Sequence, residues 1–249
     1  VKANALAVNM SKLYNINYVP GIEIGAEYKG RRVRVLGYFI DYKNDIFTTI
    51  ENNGLVNERN ASLERVRRFE KILGVQIPVE RLLHTNRFQR ISGRLLVRHV
   101  LNSSLYDECE VLKPYRKMEM NKAVEILCQE YFAYGKPCYV MMKCPPLQDV
   151  LDVISLTNGV AVLADGADFL HDEELMKDIL SHGIEGIEVF QSAYNKKQMA
   201  DLLRYAQKDK LLITCGSGFT SRKQGNELGD CHCPEEAESL IISLIRAKM

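Results

Sequence analysis

The sequence predicts an α/β protein built on a parallel, barrel-like sheet into which a block of helices is inserted, and three observations carry that expectation. From Leu147 onward, short apolar runs alternate with amphipathic stretches: helix over 147–158, strand over 160–164, helix around 174–181, strand over 186–190, helix over 196–207 and strand over 211–215. Strands that are apolar throughout and parted by helices belong to parallel sheets covered on both faces. Nearer the start, Pro20-Gly21-Ile22-Glu23-Ile24-Gly25 and the run 31–40 read as two strands, separated by a short turn that contains Lys29-Gly30. From about Asn57 to Gly135 the apolar residues recur at helical spacing instead.

Taken in order, residues 1–15 read as a helix with Leu6, Met10, Leu13 and Tyr14 recurring on one face, and 16–24 as the strand that follows. Glu23 falls where that apolar run gives out. In parallel α/β proteins ligands bind at the carboxyl ends of strands, so an acid there is a site candidate beside the plainer reading of a solvated strand end. Leu63, Val66, Phe69 and Leu73 share a helix face that Gly74 closes, and Pro78 opens the next helix. Residues 95–101 belong to a further helix, and Met120, Val124, Leu127, Cys128 and Tyr131 form another apolar stripe, the mark of a helix facing a core. This divides the chain into a barrel-like part, 1–54 with 136–249, and a helical insertion over 55–135. Pro234, Glu235 and Glu236 begin a closing helix with Leu240, Ile241, Leu244 and Ile245 on its inner side.

Composition narrows the function classes. The 249 residues carry a net charge of +1, so nothing in the charge balance argues for nucleic acid or an anionic membrane surface. No apolar run approaches the roughly 20 residues of a membrane span and no signal peptide is visible, so the chain is expected to be cytoplasmic. The seven cysteines sit mostly in apolar segments, as small buried side chains do. Cys231-His232-Cys233 has three side chains able to ligate zinc, but its spacing is too tight and no second pair completes a tetrahedron.

The run PGIEI followed by VRVLGYFID resembles the polymerase and histidinol phosphatase (PHP) family of metal-dependent phosphoesterases. Further matches follow in the family's order: Gly93-Arg94, the run 159–164, the run 186–190 and the run 211–217. The resemblance implies a distorted (β/α)7 TIM-like barrel, five strands of which are visible. It also implies a divalent zinc, manganese or iron centre that hydrolyses phosphoesters, perhaps of small nucleotides. In the family two earlier strands bring a His-x-His and an Asp-His pair, and neither pair occurs in this chain. Either the chain is a fragment or those strands are replaced.

Position by position, the resemblance retains one metal ligand, Glu23. Arg34 stands where the family has His, and Leu95 and Leu96 replace Pro and His after Gly93-Arg94. Asp165-Gly166 replaces His-Pro, while Gly218 and Thr220 replace Asp and His in a frame kept by Ser217 and Phe219. A ligand set this depleted is expected to hold no transition metal tightly. Asp165 is the candidate replacement ligand for a hard ion, with Asp168, His171 and Glu173 nearby, against the reading that all four are polar residues of a loop and helix start. Arg34 and Arg94 are the candidates for gripping a phosphate. For Arg34 the competing reading is an ion pair with an acid such as Glu23. The expected function is that of a PHP-like phosphoesterase, inactive or impaired. The competing readings are a non-catalytic module that binds a phosphorylated metabolite and an active phosphoesterase with replacement ligands.

Overall fold

Lys29 and Gly30 both adopt positive φ, 48° and 72°, the backbone of a two-residue type I′ turn that reverses one strand tightly into the next. The turn joins β1 (Gly21–Tyr28) to β2 (Arg31–Tyr38), which pair antiparallel from Tyr28↔Arg31 to Gly21↔Tyr38. The computed structural model describes residues 2–85, 88–219, 227–237 and 239–241. The elements around the hairpin are α1 (Lys2–Tyr14), α2 (Asp45–Leu73), α3 (Val79–Leu83), α4 (Gly93–Asn102), α5 (Lys113–Arg116) and α6 (Met120–Leu127). They are followed by α7 (Leu147–Leu156), β3 (Val160–Ala164), α8 (Glu173–Ser181), β4 (Gly186–Gln191), α9 (Lys196–Lys208) and β5 (Leu212–Gly216).

The five strands form one sheet in the order β1-β2-β3-β4-β5. β2 pairs antiparallel with both neighbours, while β3, β4 and β5 pair in parallel. The expectation of a parallel, barrel-like sheet is thus corrected at its first two strands. A two-residue turn can only return the chain antiparallel, because a parallel connection needs a crossover of a dozen or more residues. Among the described residues β1 and β5 are the two edges and the sheet does not close into a barrel. The later strands follow the expected pattern: β3 is buried along its whole length and β4 along all but Gln191.

β1 and β2 alternate instead. Val33, Val35 and Gly37 point to one face, where Gly37 abuts Ile154 of α7, and Arg32, Arg34 and Leu36 point to the other. α7 packs on β1, β2 and β3, and α9 packs on β4 and β5. The first helix departs from its expected packing. Leu6, Leu13 and Tyr14 of α1 are exposed, and its buried residue is Asn4, whose side chain accepts from the Gly21 amide and donates to the Gly21 carbonyl. Glu23 is corrected too: β1 starts at Gly21, so Glu23 lies near the strand's beginning, because 16–20 form no strand.

Two compact units divide the chain, residues 1–49 with 144–249 holding the sheet, and 50–143. The helical run begins earlier than expected, because α2 starts at Asp45 and passes through Asn52, Asn53 and Gly54 without breaking. The second unit has its own apolar core, in which Val66, Phe69, Leu83, Leu96, Val100, Leu112, Val124 and Leu127 are buried. No described helix is long and apolar enough to cross a membrane.

Candidate functional site

The sheet face away from α7 is apolar at one end, where Val160 and Val162 pack with Leu36, Tyr38 and Leu212. Toward the carboxyl ends of β3, β4 and β5 it becomes acidic. Alternation puts Arg34 on this face. Glu23 lies diagonally across the hairpin from it, since Gly25 and not Glu23 is the direct partner of Arg34. The Arg34 Nη1 stands 3.5 Å from Glu23 Oε1. Its Nε stands 2.8 Å from Asp165 Oδ2, the closer of the two pairs.

Asp165 follows β3 with φ 52° and ψ 31°, in the left-handed region that Asp enters more readily than most side chains. The register Arg34↔Ala164 leaves it one residue beyond the partner of Arg34. Its neighbour Asp168 has its carboxyl pushed up by burial and by Asp165, against the pull of Arg34, Arg31 and His171. Glu173 pairs instead with Lys177 across one turn of α8, 3.5 Å away.

Glu188 is the residue that the sequence reading passed over as frame. It is buried, 6% exposed, in the middle of β4. Its Oε2 accepts from Gln191 Nε2 at 2.8 Å. Burial, with Asp165 and more weakly Glu23 adding repulsion, pushes its carboxyl up to about 7, while the Gln191 hydrogen bond and Arg34 oppose the shift. The signal in the sequence was a lone charge inside an otherwise apolar strand, which is rare without a partner. Tyr38 on one side and Cys215 on the other are both pushed up to about 12, chiefly by burial, so they stay protonated beside it.

Gly216 of β5 makes room for this carboxylate: a methyl group there would come 2.4 Å from Glu188 Oε1. Gly216→Ala is therefore expected to lower stability by about 2 kcal/mol in the native chain and to be nearly neutral in a Glu188→Ala background, since contacting residues couple. Urea unfolding of the four proteins measures the coupling, and additive effects would mean that the two residues do not touch.

Tyr194 and Thr214 complete the surroundings. Both are buried, and among the described residues neither hydroxyl makes a close hydrogen bond, although the Ala167 backbone lies by Tyr194 and Tyr38 by Thr214. The Tyr194 phenol is raised by burial and by the charges of Asp165, Glu188 and Asp168, which puts it among the acids. Ser192 donates to the Ser217 carbonyl at 2.8 Å, tying the end of β4 to the loop after β5, where Gly218 has φ 61°.

The structure thus brings Glu23, Arg34, Asp165 and the unforeseen Glu188 together. Arg94 and Leu96 belong to the helical unit, in the first turns of α4 capped by Ser92, and Leu96 is fully buried in that unit's core. Thr220 lies outside the described residues. Cys231 is buried, while His232 is exposed 3.8 Å from Asp230. Among the described residues no three His, Cys, Asp or Glu side chains are poised to hold a metal ion. The donors around Arg34 are carboxylates with a guanidinium already among them, which does not fit a zinc or iron centre built on imidazole and thiolate.

No family profile matches the chain. It is 25% identical over 215 residues to the phosphoribosyl 1,2-cyclic phosphate 1,2-diphosphodiesterase of Eggerthella lenta, covering 86% of this chain and 76% of that protein. In fold it is similar to a candidate metal-dependent phosphoesterase of Bifidobacterium adolescentis, with TM-score 0.66 and 18% identity over 96% of this chain and 80% of the other. It is also similar to an amidohydrolase of Chromobacterium violaceum solved with bound sulfate and no metal, with TM-score 0.63 and 22% identity over 95% and 81% of the two chains. The chain shares its fold with these two structures and is similar in sequence to the diphosphodiesterase. The resemblance to the PHP family that the motifs carry holds in sequence and in fold.

Proposed function

We propose that this chain is a PHP-like phosphoesterase domain whose ligand is a small phosphoester, such as a ribose cyclic phosphate, and that it turns this ligand over poorly or not at all. The observation that carries the reading is the gathering of Glu23 of β1, Glu188 of β4 and Asp165, just after β3, around Arg34. Acids in that place serve a hydrolase by holding a cation that sharpens a water and neutralises phosphate charge. A guanidinium neutralises charge but cannot lower the pKa of a bound water as a divalent metal does.

The test is steady-state hydrolysis of a cyclic and a linear phosphodiester, with and without manganese or zinc, by the native chain and by Glu23→Gln. The expected result is equal background rates throughout. Metal-stimulated turnover that Glu23→Gln abolishes would establish the active-enzyme reading with replacement ligands instead. The reading as a non-catalytic phosphometabolite module is favoured by one observation: the Arg34 side chain remains 42% exposed although it is paired with Glu23 and Asp165. Calorimetric binding of a ribose phosphate, weakened by Arg34→Gln, supports it.

A further inference from the structure

We infer that Cys215 and Cys231 form a dithiol pair, a redox modification site at which a peroxide joins the end of β5 to the segment 230–234 through a disulfide. Such a site is independent of phosphoester binding and turnover.

Cys215 is part of β5 and stands opposite Phe190 of β4 in their register. Phe190 in turn lines a cavity together with His232 and Pro234, the residues on either side of Cys233. The segment that carries Cys231 and Cys233 is thereby set beside the strands that hold Cys215. Cys231 is buried, 9% exposed, between the exposed Asp230 and His232, so it alone of these three is turned inward. There the Cys215 thiol donates a hydrogen bond to Cys231 and lies close enough to Cys233 to feel its charge. Both Cys215 and Cys231 are unbridged thiols. Contact between two sulfurs is the first requirement of a disulfide, whose β-carbons are only about 4 Å apart.

Three neighbouring cysteines would suit zinc, yet among the described residues no three donors are placed to hold an ion. What remains for two touching thiols is the chemistry of sulfur with sulfur. Burial and the hydrogen bond to Cys231 push the Cys215 thiol up to about 12, so it keeps its proton and Cys231 reacts first. The Cys231 thiolate attacks one oxygen of the peroxide and the O–O bond breaks. A sulfenic acid forms, and the second oxygen leaves as water with the proton that Cys231 gave up. The Cys215 sulfur then forms the S–S bond as the S–O bond breaks, and its proton departs with the hydroxyl as a second water. The two thiols have lost two electrons, and the peroxide has gained them.

The experiment treats the whole folded chain with a small excess of hydrogen peroxide, blocks the remaining thiols with iodoacetamide and maps the peptides by mass spectrometry without reduction. The expected result is a crosslink between the Cys215 and Cys231 peptides that dithiothreitol removes. Cys109, Cys128 and Cys138, packed in the core of the helical unit, are internal controls and should stay reduced. Cys233→Ser should keep the crosslink, while Cys231→Ser should lose it. The oxidised native chain should melt at least about 4 °C above the reduced one, because the bond removes loop-closure entropy from the unfolded chain. A native chain that gives no such crosslink overturns the inference, as does a bond from Cys231 to Cys233 in its place. A crosslinked chain that melts no higher than the reduced one overturns it too, because the bond would then strain the fold rather than join natural neighbours. Turnover plays no part in this readout, so a failure of the phosphoesterase reading leaves the inference standing, and the reverse holds as well.

Discussion

Replacing Glu188 with Gln is expected to stabilise the protein by about 3 kcal/mol near pH 8, and to leave it almost unchanged near pH 4, by the linkage between a shifted pKa and stability. The sign follows from the direction of the shift. The Glu188 carboxyl is raised from an ordinary 4.5 to about 7 in the folded protein, so folding favours the protonated form. Stability from this group is therefore fully present below the unfolded value. It declines as pH rises from there through about 7, where the buried group must ionise. Gln has the shape of the protonated acid and keeps a polar group for Gln191, but it has no charge to desolvate. Tyr38 and Cys215, both raised to about 12, keep their protons across this range, and Asp165 and Glu23 add to the repulsion that ionised Glu188 meets. Urea unfolding of both proteins across this range decides it. A difference between them that does not change with pH would mean that Glu188 is ionised and well paired in the native state.

The second large effect concerns Leu96. The family resemblance marks this position as a lost ligand, and its surroundings make it a core residue: it is fully buried with Val97, Val100, Leu101 and the facing Val124 and Leu127. Leu96→Ala should cost about 2–5 kcal/mol through lost burial and the cavity left behind. Leu96→His should cost as much or more, because it adds the burden of an imidazole without a partner in an apolar core. Chemical denaturation, with amide exchange read over α4 and α6, measures both. A Leu96→His protein as stable as the native chain would mean that the side chain reaches water or a polar partner. The expected outcome has a consequence for any attempt to rebuild a metal centre, since this position cannot be restored by a single substitution.

Legibility in the sequence followed the range of the interaction. Apolar runs and helical stripes located α7 to β5 almost to the residue, because burial on one or both faces is written locally as a period. The hairpin was legible as well, since Lys29-Gly30 between two β-rich runs is a turn signal. The expectation of a parallel sheet overrode it. α1 shows the opposite failure: its apolar stripe was clear, but Leu6 and Leu13 face outward. A period says which residues share a face and not what covers that face.

The candidate site divides along the same line. Glu23, Arg34 and Asp165 could be named from the motif frame, and an Arg34–Glu23 pair was one of two open readings. That the stronger pair is Arg34 with Asp165 was not. The sequence by itself determined the α/β class, the order of the later strands and helices, the helical insertion and the depleted set of ligand types. Only the tertiary structure decided the antiparallel setting of β2, the convergence of four charged residues on one sheet face, and the burial that holds Glu188 near neutrality. The reason is physical. Local pattern encodes each side chain's preference for water or core. The pKa of a carboxylate and the partner of a guanidinium are set by charges and dielectric within a few ångströms, and those neighbours come from distant parts of the chain.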